Sequence, residues 1–352
     1  MKLGDIVLDI KPLDKDAQEK AWNRWNSLTK PPRSLGRLEE IVVQLAGIRN
    51  DPFPRIDKKA IVIMVGDHGI TKRGVSAYPQ EVTVQMVKNF LNGGAGINAI
   101  ASRADASVFV VDVGVAQPLE FHHPSFRGYN VKHGTNDFSQ EPAMTRDEAV
   151  RCIEVGIKVV EELDKTGMDI IGTGEMGIGN TTSSTAILSV FTENIPLELM
   201  VGAGTGLDKR GIEKKKDIIE NAIKLHKPNP NDPIDVLSKV GGLEIGAIAG
   251  LVLGCASLRK PVVIDGFIST VGALLAYKIA PDIIPYIIPS HLSQEPGHKI
   301  ALEQMGLKPM LTLDMRLGEG TGSAIGMLVI DCALSAYYNM LTFEEAGVSN
   351  RG

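Results

Sequence analysis

One carboxylate in this chain is placed to do chemistry by its neighbours alone. In the segment MRLGEGTG, residues 315–322, Glu319 stands between Gly318 and Gly320. Glycines on either side let the backbone approach a ligand closely and adopt positive φ. The following run, 323–336, is apolar enough for a buried helix. Glu319 therefore sits where a side-chain base can face a bound substrate, and where the free N–H groups of a helix start can meet an anion. The same residue also fits an ordinary first-turn acid favoured by the helix dipole. The segment alone leaves both readings open.

Polar, glycine-rich segments recur along the chain: GDHG at 66–69, TGEMGIGNTT at 173–182, GAGTG at 202–206, DGF at 265–267 and PSH at 289–291. They follow apolar runs at 60–65, 169–172, 199–201, 261–264 and 286–288 that read as strand ends. In parallel α/β sheets, ligands bind beyond the carboxyl ends of the strands. Each segment taken singly is ordinary turn and cap chemistry. Five in one chain are better explained by a shared active site.

Two of these segments suit phosphate. Residues 174–182 and 202–206 precede helices and offer backbone N–H groups with the hydroxyls of Thr181, Thr182 and Thr205. Neither closes with the Lys-Ser/Thr pair of a nucleoside triphosphate loop, and GAGTG lacks the dinucleotide spacing. A single phosphate needs a cation, and of Lys214, Lys215 and Lys216 one lysine turned inward would suffice. His68, His122, His123, His133 and His291 make no metal-ligand spacing, and no nucleophile elbow is present. Asp67-His68 reads as a turn that bonds within its own loop. No metal and no cofactor are expected.

The positioning elements follow from periodicity. Helices are expected at 14–28, 35–48, 81–104, 146–165, 181–191, 212–225, 234–258 with a possible break at Gly241-Gly242, and 321–340. Strands are expected at the five runs above other than 199–201, together with 106–113. Continuous apolar strands alternating with helices imply a doubly wound α/β fold, with a mainly parallel, Rossmann-like sheet covered on both faces. That body spans roughly 60–310, with a smaller helical domain built from 1–59 and 311–352. At 352 residues and 43% hydrophobic, the chain can bury a core of that size. Its net charge of −5 argues against a nucleic-acid surface. The longest apolar run, 245–257, is too short and too rich in glycine to span a bilayer, and the N-terminus has no signal-peptide stretch. Cys152, Cys255 and Cys332 lie far apart in apolar helical surroundings, as buried free thiols of a reducing cytoplasm would.

Taken in order, PPRSLGRLE (31–39), GDHGI (66–70), GVSAYPQEV (74–82), EMGIGNTT (175–182), DVLSKVGG (235–242), DGF (265–267), SH (290–291) and MRLGEGTG (315–322) resemble the nicotinate-nucleotide–dimethylbenzimidazole phosphoribosyltransferases. The match runs from about residue 10 to 345. The resemblance implies a homodimer that exchanges the nicotinate of nicotinate mononucleotide for a benzimidazole. The product would be α-ribazole 5′-phosphate, for the lower ligand of cobalamin.

By the same resemblance Glu319 is the general base, taking the benzimidazole N–H proton as the other ring nitrogen attacks the anomeric carbon. Glu175 and Lys215 lie near the ribose phosphate, and Gly177, Gly202, Leu317 and Gly318 line the phosphate and base sites. Asp265, Ser290 and His291 join them through the matching motifs. Tyr78 and Met86 match acceptor positions, where a ring and a thioether would pack on a flat heterocycle, although both also fit core-facing roles. The accepted base is left open among dimethylbenzimidazole, a simpler benzimidazole, adenine and a phenol. A nucleoside phosphorylase and a non-catalytic nucleotide-binding regulator are the rival readings. Neither nucleic acid nor membrane is expected as a partner.

Overall fold

The computed structural model describes residues 2–192 and 194–349. Strands β1 (Lys59–Gly66), β2 (Ala106–Gly114), β3 (Phe126–Gly128), β4 (Ile170–Met176), β5 (Val262–Ile264) and β6 (Ile287–Pro289) form one sheet in the order β3-β2-β1-β4-β5-β6. Every pairing in it is parallel. The chain winds outward from β1 to β3 and then returns to β4, so the strand order reverses between β1 and β4. That reversal opens a crevice at the carboxyl ends. Two short strands, β7 (His291–Leu292) and β8 (Leu311–Thr312), pair separately.

Thirteen helices are described: α1 (Leu3–Asp9), α2 (Lys15–Ser27), α3 (Arg37–Arg49), α4 (Val82–Leu91), α5 (Gly96–Arg103), α6 (Arg146–Lys165), α7 (Asn180–Phe191), α8 (Lys209–His226), α9 (Pro233–Val240), α10 (Leu243–Ser257), α11 (Phe267–Ile279), α12 (Pro296–Gln304) and α13 (Thr321–Asn339). Alternation along β1 divides them into two layers. Ala60, Val62 and Met64 join the core under α1, α6, α7, α10 and α11, whereas Ile61, Ile63 and Val65 join the core under α2, α3, α5 and α13. The terminal helices thus form most of one covering layer, while α1 packs on the opposite face. No described helix is long and apolar enough to cross a membrane.

Several expectations are corrected. The stretch 81–104 is two helices, because α4 ends at Asn92, Gly93 takes φ 76°, and Asn98 caps the restart by accepting the Ala95 N–H at 3.1 Å. The run 199–201 is no strand: Leu197–Leu199 is a 3-10 turn, so GAGTG joins helix to helix. Helices α1, α11 and α12 and strand β3 had no clear periodic signal. In α11 the side chains are buried nearly all round, which erases the amphipathic stripe. Cys152 and Cys255 are buried, but Cys332 is exposed on α13.

Candidate active site

The loop before α13 is strained by design of its sequence. Gly318, Glu319 and Gly320 take φ of 81°, 63° and 93°, three successive left-handed residues of which only the glycines do so freely. A glutamate persists there only if the surroundings hold it. Asp265, at the end of β5, accepts the Gly320 N–H at 2.9 Å and the Gly322 N–H at 2.7 Å. One turn on, the Ser323 hydroxyl meets the carbonyls of Thr173 and Val263, each at 2.9 Å, tying α13 to β4 and β5. Held this way, Glu319 is 7% exposed and its Oε2 accepts the Ile97 N–H at 3.2 Å. Burial raises its pKa above the ordinary carboxylate value.

Glu319 looks into a cleft of about 260 Å³ at the carboxyl ends of β4, β5 and β6. Its lining holds the apolar side chains of Tyr78, Met176, Ile178 and Leu317 and the polar ones of Thr181, Thr205, Ser293, Glu295 and Arg316. Glu175 also lines it, near the end of β4, where Asn180 donates to its Oε2. Burial, and then the negative charges of Asp265 and Glu244, push the Glu175 carboxyl up to about 8. Asp265 rises to about 7 through burial, against the backbone N–H bonds it accepts. Burial lowers His291, whose Nδ1 lies 3.1 Å from the Ser290 hydroxyl. The site thus favours the uncharged forms of its buried groups.

Of the lysine triplet, Lys215 turns inward and is fully buried. Its ammonium donates to Thr181 Oγ1 at 2.7 Å and to the Gly202 carbonyl at 3.3 Å. Burial brings its pKa down to about 8, with the charge of Glu295 opposing. Lys214 is exposed, and Lys216 pairs with Glu198 and Glu213 at 3.2 and 3.3 Å. Helical geometry accounts for the difference, since neighbours are turned about 100° apart.

Among the residues named from the sequence, Glu319, Glu175, Gly177, Leu317, Gly318, Tyr78 and His291 line the cleft. Gly202, Lys215, Asp265 and Ser290 do not line it: Lys215 bonds Thr181 and Ser290 meets His291, both in the lining, whereas Gly202 bonds Lys215 and Asp265 holds Gly320 and Gly322. Met86 is half-buried on α4 and packs against the core under α13 rather than lining the cleft. His68 also departs from expectation. Its ring is buried and reaches Ser183 Oγ at 2.9 Å and Glu244 Oε1 at 2.7 Å, joining β1 to α7 and α10 instead of bonding only within its loop. Ser293, Glu295, Arg316 and Asn180 were missed, since SQEP at 293–296 reads as a plain turn and the others as loop or cap residues. Among the described residues, no group of three or more His, Cys, Asp or Glu is arranged to hold a metal ion.

The chain is similar to known proteins over nearly its whole length. A family profile described as phosphoribosyltransferase matches residues 10–348. A nicotinate-nucleotide–dimethylbenzimidazole phosphoribosyltransferase of Chloroflexus aggregans is 50% identical over 99% of this chain and 98% of its own length. One from Halalkalibacterium halodurans is 48% identical, covering 99% and 97%. The crystal structure of the protein so named from Thermus thermophilus superposes with a TM-score of 0.90 at 42% identity, covering 96% of this chain and all of that one.

Proposed function

The chain belongs to the nicotinate-nucleotide–dimethylbenzimidazole phosphoribosyltransferase family, and on that premise we propose that it moves the phosphoribosyl group of nicotinate mononucleotide to 5,6-dimethylbenzimidazole or a related aromatic base. Nicotinate leaves, and α-ribazole 5′-phosphate forms for the lower ligand of cobalamin. The observation that carries this reading is Glu319, a buried carboxylate with a raised pKa, lining a cleft whose apolar side chains Tyr78, Met176, Ile178 and Leu317 suit a flat heterocycle.

The chemistry needs little else. As the C1′–N bond to the pyridinium breaks, its electron pair returns to the ring and neutralises it, so the leaving group needs no acid. A benzimidazole nitrogen forms the new C1′–N bond, and the proton on the other nitrogen passes to Glu319. Positive charge developing on the sugar ring is stabilised by that carboxylate. With its carboxyl pushed up to about 8, Glu175 is mostly protonated at neutral pH and serves as a hydrogen-bond donor rather than a second base. Gly177 and the Gly202–Thr205 loop, with Lys215 behind them, suit the 5′-phosphate. Gly318, Leu317 and Tyr78 frame the base, with Asp265, Ser290 and His291 as support.

We further read the enzyme as a cytoplasmic homodimer. Tyr78 and Leu317, 55% and 59% exposed at the cleft mouth, are apolar surface that a second copy would cover. We keep the division into a body of 60–310 and a smaller helical unit from 1–59 and 311–352, in which α2, α3 and α13 share one core with the sheet of the body while α1 joins the opposite face. The test of the function is incubation with nicotinate mononucleotide and a panel of aromatic bases. Nicotinate release that requires a base is expected. Release with phosphate alone would indicate a phosphorylase, and binding without release a regulator.

A further inference from the structure

Residues 202–206 form no helix or strand, yet distant parts of the chain are bonded to them. Lys215 donates to the Gly202 carbonyl at 3.3 Å, Glu295 Oε1 accepts the Gly204 N–H at 3.1 Å, and Arg316 donates to the Gly204 carbonyl at 3.3 Å. The Thr205 hydroxyl makes a further link, to the turn that precedes α4. Its oxygen accepts the Ala77 N–H at 3.1 Å and meets the Ser76 hydroxyl at 3.0 Å, and that hydroxyl accepts the Tyr78 N–H at 3.2 Å. One threonine side chain thus ties the glycine-rich segment to three successive residues, the last of which lines the cleft.

Neither segment is fixed by packing. Ala77 and Tyr78 are exposed, as are Thr205 and Gly206, and Gly204 and Gly206 take φ of 54° and 113°, where glycine alone moves freely. Exposed backbone without a core beneath it opens at little cost, and holding it still costs conformational entropy. A ligand that orders 202–206 also orders the turn bonded to it, so a second ligand finds Tyr78 already in place. A phosphate seated on the backbone N–H groups of a glycine-rich loop is such a ligand.

We infer that Thr205 is a positioning residue that couples the two substrates: a sugar phosphate on 202–206 steadies Tyr78 through the Thr205 hydroxyl, and the aromatic base binds more tightly for it. The inference rests on the proposed nucleotide reading and adds cooperation between nucleotide and base. By linkage, the base strengthens the sugar phosphate by the same factor.

The test is calorimetric, with ribose 5-phosphate as the unreactive sugar phosphate. Dimethylbenzimidazole is titrated into wild type, Thr205→Val, Thr205→Ser and Ser76→Ala, each with and without saturating ribose 5-phosphate. Wild type should bind the base roughly 3- to 10-fold more tightly when the sugar phosphate is present, the net worth of one or two hydrogen bonds. Thr205→Val, isosteric but without the hydroxyl, should lose most of that factor, and Thr205→Ser should keep it. Ser76→Ala, which leaves the Ala77 bond, should fall between. A merely structural role would weaken base binding equally under both conditions, so a wild-type factor retained in Thr205→Val would overturn the inference. Wild type that binds both probes without coupling would overturn the inference alone, whereas wild type that binds neither would count against the nucleotide reading and take the inference with it.

Discussion

Asp265 holds Glu319 in place without touching it, by accepting the N–H groups of Gly320 and Gly322 at 2.9 and 2.7 Å. Both carboxylate oxygens are needed, one for each donor. In Asp265→Asn the amide group would face one of the two N–H donors, leaving it buried and unpaired. We expect a stability loss of about 1–3 kcal/mol and a lower kcat, with the nucleotide KM little changed. Denaturant titration and steady-state kinetics check this. Wild-type stability and turnover would remove Asp265 from that role.

The raised Glu175 carboxyl has a consequence for stability. A carboxyl whose folded pKa, about 8, lies above its unfolded value binds more protons in the folded state between those values. Its contribution is therefore present in acid and is lost as pH climbs from the ordinary carboxylate range toward 8. Glu175→Gln removes that titration. Unfolding midpoints measured from pH 5 to 8 should fall less with pH in the variant than in wild type, and parallel curves would contradict the assignment.

Lys215 should be distinguishable from its neighbours. Lys215→Ala removes the charge-assisted bonds to Thr181 and the Gly202 carbonyl, about 1.5–3 kcal/mol, and the cation behind the glycine loops, read as a higher KM for nicotinate mononucleotide. Lys214→Ala and Lys216→Ala should do much less, since one is exposed and the other pairs with Glu198 and Glu213. Burial places Lys215 near 8, so nucleotide use by wild type should also weaken as pH passes that value. Equal, small effects across the triplet would assign the phosphate to the glycine loops alone.

Activity is expected to survive chelation. Both ring nitrogens of His68, beside Asp67, are engaged within the protein, Nδ1 with Ser183 Oγ at 2.9 Å and Nε2 with Glu244 Oε1 at 2.7 Å. Loss of turnover in EDTA, restored by a divalent ion, would contradict this.

Much of the scaffold was legible because its signals are local. Helix α6 was bounded correctly, since Thr145 and Glu148 form a reciprocal capping box around a strong apolar stripe. The Glu319 loop was legible because two glycines mark left-handed backbone. Lys215 was separable from Lys214 and Lys216 by spacing and family resemblance. What escaped depends on distant partners. Nothing near Glu295 in sequence announces that Gly204, 91 residues away, will donate to it. Likewise His68 meets Glu244 across 176 residues, and only the packed fold brings them together. The three residues of β3 are too few to show a period.

The central claim is that Glu319 takes the proton from the incoming base, and Glu319→Gln tests it most directly because the shape is kept and the proton acceptor is lost. Turnover of nicotinate mononucleotide with dimethylbenzimidazole should fall by roughly 10²–10⁴-fold, the usual worth of general-base catalysis, while calorimetric affinity for the nucleotide stays close to wild type. Near-normal turnover in this variant would contradict the account.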